Sequence, residues 1–172
     1  MDRLWSPWRL PYVLKGGEAR GCLFCDALLD ADPATNSQQG GVDDLIVFRG
    51  SACYVILNLY PYNNGHLMVV PNRHIGSLSA ATRDELCELI ELTRRAEVAL
   101  GEAYSPQGMN MGINLGKPAG AGVLDHIHMH IVPRWNGDTN FMTIVGDTRV
   151  LPEELPETAR KLRPIFQKLA NQ

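Results

Sequence analysis

The sequence predicts an α+β fold: a five-stranded antiparallel sheet with one long helix and a C-terminal helix. Three observations carry this. Short β-rich runs cluster in residues 45–70 and return in 109–132, an uninterrupted helical periodicity lies between them, and a second helical pattern closes the chain. Strands and helices are therefore segregated, unlike the strict alternation of a parallel βαβ sheet. With 172 residues the chain reads as one domain, 1–172, long enough to bury a core without disulfide staples.

Residues 1–13 place Trp5, Trp8 and Tyr12 around Pro7 and Pro11, which reads as an extended aromatic arm laid over a surface. Arg3, Arg9 and the prolines break the continuous apolar stretch that a signal peptide needs. After Cys22-Leu23-Phe24-Cys25, residues 31–44 (ADPATNSQQGGVDD) are polar and aperiodic, the pattern of a mobile loop. Leu45–Phe48 and Cys53–Asn58 flank Arg49-Gly50-Ser51 as a hairpin, and His66–Val70 follows the turn-forming Pro61-Tyr62-Asn63-Asn64-Gly65. Thr82 and Glu85 form a capping box for a helix with Leu86, Leu89, Ile90, Ala96 and Leu100 on one face, ending near Tyr104 before Pro106. Met109–Asn114 and His126–Val132 complete the strand set. Between them, Gly116-Lys-Pro-Ala-Gly-Ala-Gly122 is too glycine-rich for regular structure. The last helix lies within Glu153–Leu169, punctuated by Pro156 and Pro164, with Leu162, Ile165, Phe166 and Leu169 inward.

Sixteen basic residues against 19 acidic give a net charge of −3. With no basic run, wrapping a long nucleic acid is excluded as the main task, while a small phosphate ligand is compatible. No segment approaches the ~20 apolar residues of a membrane span. The expectation is a cytoplasmic protein whose four cysteines stay reduced.

All five histidines fall in two short stretches, and three alternate in His126-Ile127-His128-Met129-His130-Ile131-Val132. On a strand, three imidazoles would share one face while Ile127, Met129 and Ile131 pack on the other. Imidazole serves near neutral pH as nucleophile, acid, base or metal ligand. The glycine-rich loop just before would place several backbone amides beside the imidazoles as an anion-binding concavity, although the same loop also reads as a mere connector. It is no Walker A loop, being one residue short and carrying Pro118 where Ser or Thr would bind Mg²⁺. No Gly-x-Ser-x-Gly elbow marks a serine hydrolase either. Histidine beside a phosphate cradle points to covalent phosphorus transfer: one imidazole attacks, and another neutralises the phosphoryl oxygens or protonates the leaving group.

Cys22 and Cys25 have zinc-knuckle spacing, and His74 with His126 would complete a structural Cys₂His₂ zinc site. The redox reading of the same pair lacks the βαβ context of thioredoxin. Cys53 and Cys87 read as small hydrophobes, Lys117 as a solvated lysine and Trp135 as part of a core or interface.

The run 126–132 resembles the signature of the histidine-triad (HIT) family of nucleotide hydrolases and transferases. Residues 58–71, Asn-Leu-Tyr-Pro-Tyr-Asn-Asn-Gly-His-Leu-Met-Val-Val-Pro, are similar to its ribose and phosphate strand pair, and 133–141 to the tail of bacterial members like the fragile-histidine-triad branch. The resemblance spans roughly residues 4–155, with 31–44 unsupported. It implies the HIT fold, His128 as the nucleophile on an α-phosphorus, and His130 and His66 on phosphate oxygens. It also implies Asn58 on the ribose, Asn114 near the leaving oxygen, and Leu23 and Phe24 at the base. In zinc-containing members the ligands match Cys22, Cys25, His74 and His126, with the His126 carbonyl orienting His128. Gly122 and Val123 stand where many members carry Gln followed by Ser or Thr, which leaves the backbone amides of Gly120, Ala121 and Gly122 to hold phosphate or opens the site to inorganic phosphate. The implied activity is cleavage of a dinucleoside polyphosphate such as diadenosine tetraphosphate, by hydrolysis or phosphorolysis, in a homodimer joined sheet edge to edge. Alternatives are a purine nucleoside phosphoramidase, a nucleotidylyltransferase acting on phosphate or a sugar phosphate, and a non-catalytic nucleotide-binding zinc module.

Overall fold

A computed structural model describes residues 21–29, 45–138 and 152–172; the aromatic arm at 1–13 and the loop at 31–44 lie outside the described residues. Helix α1 (Leu23–Leu29) precedes β1 (Ile46–Arg49), β2 (Cys53–Leu57) and β3 (Leu67–Pro71). Helix α2 (Arg83–Tyr104), β4 (Gly108–Ile113), β5 (Met129–Arg134) and helix α3 (Leu155–Ala170) follow. The five strands form one sheet in the order β1-β2-β3-β5-β4, and every pairing is antiparallel. The α+β class and the five-strand count expected from the pattern of runs are thus present.

Register decides which side chains face the site. Tyr54 pairs with Val70, Ile56 with Met68, and Met68 in turn with His130, so these share one face; Cys53, Val55, Leu67, Val69, Met129 and Ile131 occupy the other. Helices α2 and α3 cover that second face, and Leu89, Leu92, Ala96, Ala99, Leu100, Leu162 and Phe166 pack against it. The capping box is present as expected: Glu85 N–H donates to Thr82 Oγ1 at 3.3 Å, and Thr82 N–H to Glu85 Oε2 at 2.7 Å.

Four expectations need correction. Ile90 is 59 % exposed, because the buried stripe runs Leu89, Leu92 and Thr93, Ala96, Ala99 and Leu100, a helical spacing from which position 90 is rotated away. Cys87 is likewise exposed and packs in no core. The glycine-rich loop contains a 3-10 turn, Lys117–Ala119, entered through Gly116 at φ 80° and left through Gly120 at φ 90°, a conformation that favours glycine. Helix α1 was not foreseen, because seven residues are too few for periodicity to register.

The β1–β2 turn is held from outside the sheet. Glu88 on α2 accepts N–H bonds from Ser51 at 2.9 Å and Cys53 at 2.7 Å, and a third from Ala52. A Cβ on Gly50 would lie 2.6 Å from Glu88 Oε1 and 2.8 Å from the Cys53 carbonyl oxygen, so the turn requires glycine there.

Candidate active site

The triad does not ride on a single strand. The ladder of β5 starts at Met129, so only His130 is a strand residue; His126 to His128 form an irregular lead-in, anchored where Ile127 N–H donates to the Ile75 carbonyl at 2.7 Å. Freed from alternation, the three rings take different surroundings. The expected common histidine face is therefore corrected to two adjoining sites, with His128 and His130 on a cavity and His126 in a Cys/His cluster.

The His128 ring is fixed by its own neighbour. Its Nδ1 lies 3.0 Å from the His126 carbonyl oxygen; a carbonyl only accepts, so Nδ1 carries the proton and Nε2 keeps a lone pair. His128 is 5 % exposed. Burial lowers its pKa, opposed by the His126 bond, and so favours the neutral imidazole a nucleophile requires.

A second tautomer chain ends at His130. Tyr62 N–H donates to His66 Nδ1 at 3.1 Å, which obliges neutral His66 to hold its proton on Nε2, and that atom lies 3.0 Å from His130 Nδ1. His130 therefore carries its own proton on Nε2. His66 is wholly buried and stands outside the cavity lining, meeting the cavity residue His130 through its Nε2. Tyr62 packs over both rings, with centroids 4.8 Å from His66 and 6.0 Å from His130.

The cavity joins these imidazoles to an apolar wall. Leu23 and Phe24 from α1, Ile56 and Leu57 from β2, and Met68 from β3 line it, with Asn58, Tyr60, Tyr62, Gly120 and Gly122. Asn58, just past β2, is set by its N–H bond to the His66 carbonyl at 2.9 Å and by Tyr60 N–H donating to its Oδ1 at 2.9 Å. Asn114 and Ala121 lie outside the lining. The Gly120 and Ala121 N–H groups donate to the Lys117 and Gly116 carbonyls at 3.0 and 3.3 Å, so these two amides hold the loop's own turn. Tyr60, Tyr62 and Met68 are not singled out by the sequence: Met68 faces His130 through strand register, the Tyr62 ring packs over His66 and His130, and Tyr60 joins them only in the cavity lining, and none of this leaves a local pattern.

Cys22, Cys25, His74 and His126 converge with their ligand atoms all within 4.8 Å of one another. Cys22 Sγ and Cys25 Sγ lie 3.3 and 3.6 Å from His126 Nδ1, and Cys25 Sγ lies 3.3 Å from His74 Nδ1. Tetrahedral zinc with Zn–S of about 2.3 Å and Zn–N of about 2.0–2.1 Å gives S···N edges of about 3.5 Å, which these spacings match. His126 Nε2 donates to the Pro71 carbonyl at 2.8 Å, leaving Nδ1 unprotonated toward the thiols, the usual arrangement of a ligating histidine. Burial, with His74 and His128 nearby, lowers the His126 pKa against that bond. Burial and the adjacent Cys22 and Asp26 push the Cys25 thiol up to about 11, so an occupying cation is what would convert it to thiolate. His74 is delivered by Arg73, whose guanidinium grips Glu85 with two 2.8 Å bonds and the Ala80 carbonyl with a third. Cys53, by contrast, is a buried thiol pushed up to about 12 by desolvation, then by Glu88 and Glu85, and packs as a small hydrophobe.

Comparison with known proteins agrees with this geometry. The HIT domain family model matches residues 39–137. An AP-4-A phosphorylase of Mycobacterium tuberculosis is 41% identical over 94% of this chain and 83% of its own length. A bis(5'-adenosyl)-triphosphatase of Dictyostelium discoideum is 29% identical over 73% of this chain and 88% of its own. Among solved structures, a Zn-bound histidine triad family protein from Mycobacterium smegmatis superposes with a TM-score of 0.66 at 27% identity, covering 88% of this chain and 96% of that one. A fold, a triad lead-in and a family model that coincide on the same residues leave one assignment: this chain belongs to the HIT family.

Proposed function

We propose that the chain cleaves a dinucleoside polyphosphate at its α-phosphorus through a covalent nucleotidyl-His128, with inorganic phosphate as acceptor. The observation that carries the covalent step is the His128 ring: buried, and locked by the His126 carbonyl with its Nε2 lone pair available, on a cavity that also holds His130. His128 Nε2 forms a bond to phosphorus as the bridging P–O bond breaks and a nucleoside polyphosphate departs. The His130 Nε2 proton faces the developing charge, and His66, through Nε2–H to His130 Nδ1, is a positioning residue. A phosphate oxygen then displaces His128 and releases a nucleoside diphosphate. The apolar wall suits a base and Asn58 a ribose hydroxyl.

The choice of acceptor rests on the 41% relative named as a phosphorylase and on Gly122 at the cavity, where many family members carry a glutamine. The triphosphatase relative favours water as the rival acceptor. Incubation with diadenosine tetraphosphate, with and without inorganic phosphate, separates them by mass: ADP plus ATP marks phosphorolysis, and AMP plus ATP marks hydrolysis. Unimpaired turnover in His128→Asn would remove the covalent mechanism altogether.

The Cys₂His₂ cluster we assign to structural zinc, which when bound would cross-link α1 to the segments after β3 and before β5. The reduced thiols this requires fit a cytoplasmic protein; among the described residues no helix is long and apolar enough to cross a membrane. We further propose a homodimer joined through β4. Among the described residues that strand is a sheet edge carrying Met111, 42 % exposed, with Leu115 just beyond at 47 %. The opposite edge, β1, is interrupted by a register shift, and its Ile46 carbonyl accepts from Arg163 Nε at 3.1 Å.

A further inference from the structure

Phe24 sits between the two cysteines in sequence and between two sites in space. Its ring centroid is 5.4 Å from that of His126, a member of the Cys/His cluster, and 4.9 Å from that of His128. It is 2 % exposed and lines the cavity beside Leu23. Helix α1, which carries both residues, has seven residues, too short to be stable alone. It is held by burial of Phe24 and Ala27, by Tyr54 Oη donating to the Phe24 carbonyl at 2.8 Å, and by whatever joins Cys22 and Cys25 to His74 and His126. His126 touches the cavity by a second route, since its carbonyl sets the His128 tautomer.

We propose that Phe24 is a positioning residue through which cation occupancy of the Cys22–Cys25–His74–His126 cluster and nucleotide occupancy of the cavity strengthen each other. This rests on the nucleotide reading of the cavity given above. A cation fixes α1 and so presents the Leu23–Phe24 wall in place; a nucleotide pressed on that wall holds α1 and so keeps the two thiols gathered. Linkage requires both effects to be the same factor.

Zinc and AMP are the probes. Isothermal titration of AMP into zinc-loaded and chelator-stripped protein, with circular dichroism confirming the fold of each, is expected to show binding weaker by about fivefold or more without zinc. The reverse arm needs no folded apo protein: transfer of zinc from the loaded protein to a chromogenic chelator is expected to require a correspondingly higher chelator concentration when AMP is present. Phe24→Leu should keep stoichiometric zinc yet lose most of the coupling, and Leu23→Ala, at a half-exposed position, provides the same test if the first variant does not fold. AMP that binds equally with and without zinc, or leaves zinc transfer unchanged, overturns the linkage but not the proposed activity. Full coupling in Phe24→Leu overturns the role of that ring. No AMP binding in either state overturns the nucleotide reading and this inference with it.

Discussion

Three histidines with one side-chain chemistry are suited to three different tasks because each has a different partner on its other nitrogen. His128 Nδ1 meets a carbonyl, His130 Nδ1 meets His66, and His126 Nε2 meets the Pro71 carbonyl. The expected order of damage follows. His128→Asn should abolish turnover while AMP still binds, read by titration. His130→Ala should lower kcat by about 10²-fold, the typical effect of losing one acid or electrostatic donor. His66→Phe should give a smaller fall in kcat with little change in KM, because it deprives His130 only of its orienting donor. Steady-state kinetics on diadenosine tetraphosphate would show it; a His66→Phe loss equal to that of His128→Asn would mean that His66 itself reaches the substrate. Sequence made the residue types and the Cys₂His₂ set legible, because spacing and scarcity of histidine carry that signal. It did not make the ring directions legible: His126 and His128 leave the ladder, and alternation then ceases to say where a side chain points.

At the level of elements, two carboxylates on the first turns of α2 tie the helix to the sheet's turns, Glu85 through Arg73 and Thr82, and Glu88 through the amides of 51–53. The Arg73 guanidinium, then the Thr82 backbone bond, hold the Glu85 carboxyl at about 2, well below its reference of 4.5. A depressed carboxyl contributes stability that is present above about pH 4.5 and fades as pH falls toward 2. Glu85→Gln should therefore lower stability at neutral pH and flatten this acid limb, seen as a smaller change in urea midpoint between pH 6 and pH 3. An unchanged limb would show that the pair is too solvated to matter; the Arg73 side chain is 52% exposed. Gly50→Ala should cost about 1–3 kcal/mol in urea unfolding, the range for steric overpacking, because one of the two short approaches is to backbone and cannot yield. Helix caps and strand runs could be read before the fold, since capping boxes and β-rich clusters are local. The start of β5 and the existence of α1 could not, since both depend on contacts with segments far away in sequence.

Over the whole molecule, the site exists because three distant stretches are drawn to one end of the sheet: 22–25, 71–74 and 126–130. The cysteine–histidine cluster bridges all three, so removing its cation should loosen them together. If the ion is present at about a hundredfold over its dissociation constant, its binding contributes about 2.7 kcal/mol, which for a domain of this size corresponds to about 5–10 °C in Tm. Scanning fluorimetry with and without chelator measures it, and Cys22→Ser/Cys25→Ser should melt at the chelated temperature whether or not chelator is added. At the other side of the sheet, β4 is the edge strand among the described residues, and a second copy can add a strand there only by lying antiparallel across a two-fold axis. An inserted charge at the centre of that strand defeats such pairing with little harm to a monomer, since Met111 already faces out. Met111→Lys should thus halve the particle mass in light scattering at micromolar concentration while AMP binding persists. A wild-type protein that scatters as a single chain, or a variant whose mass is unchanged, would place the dimer contact away from β4.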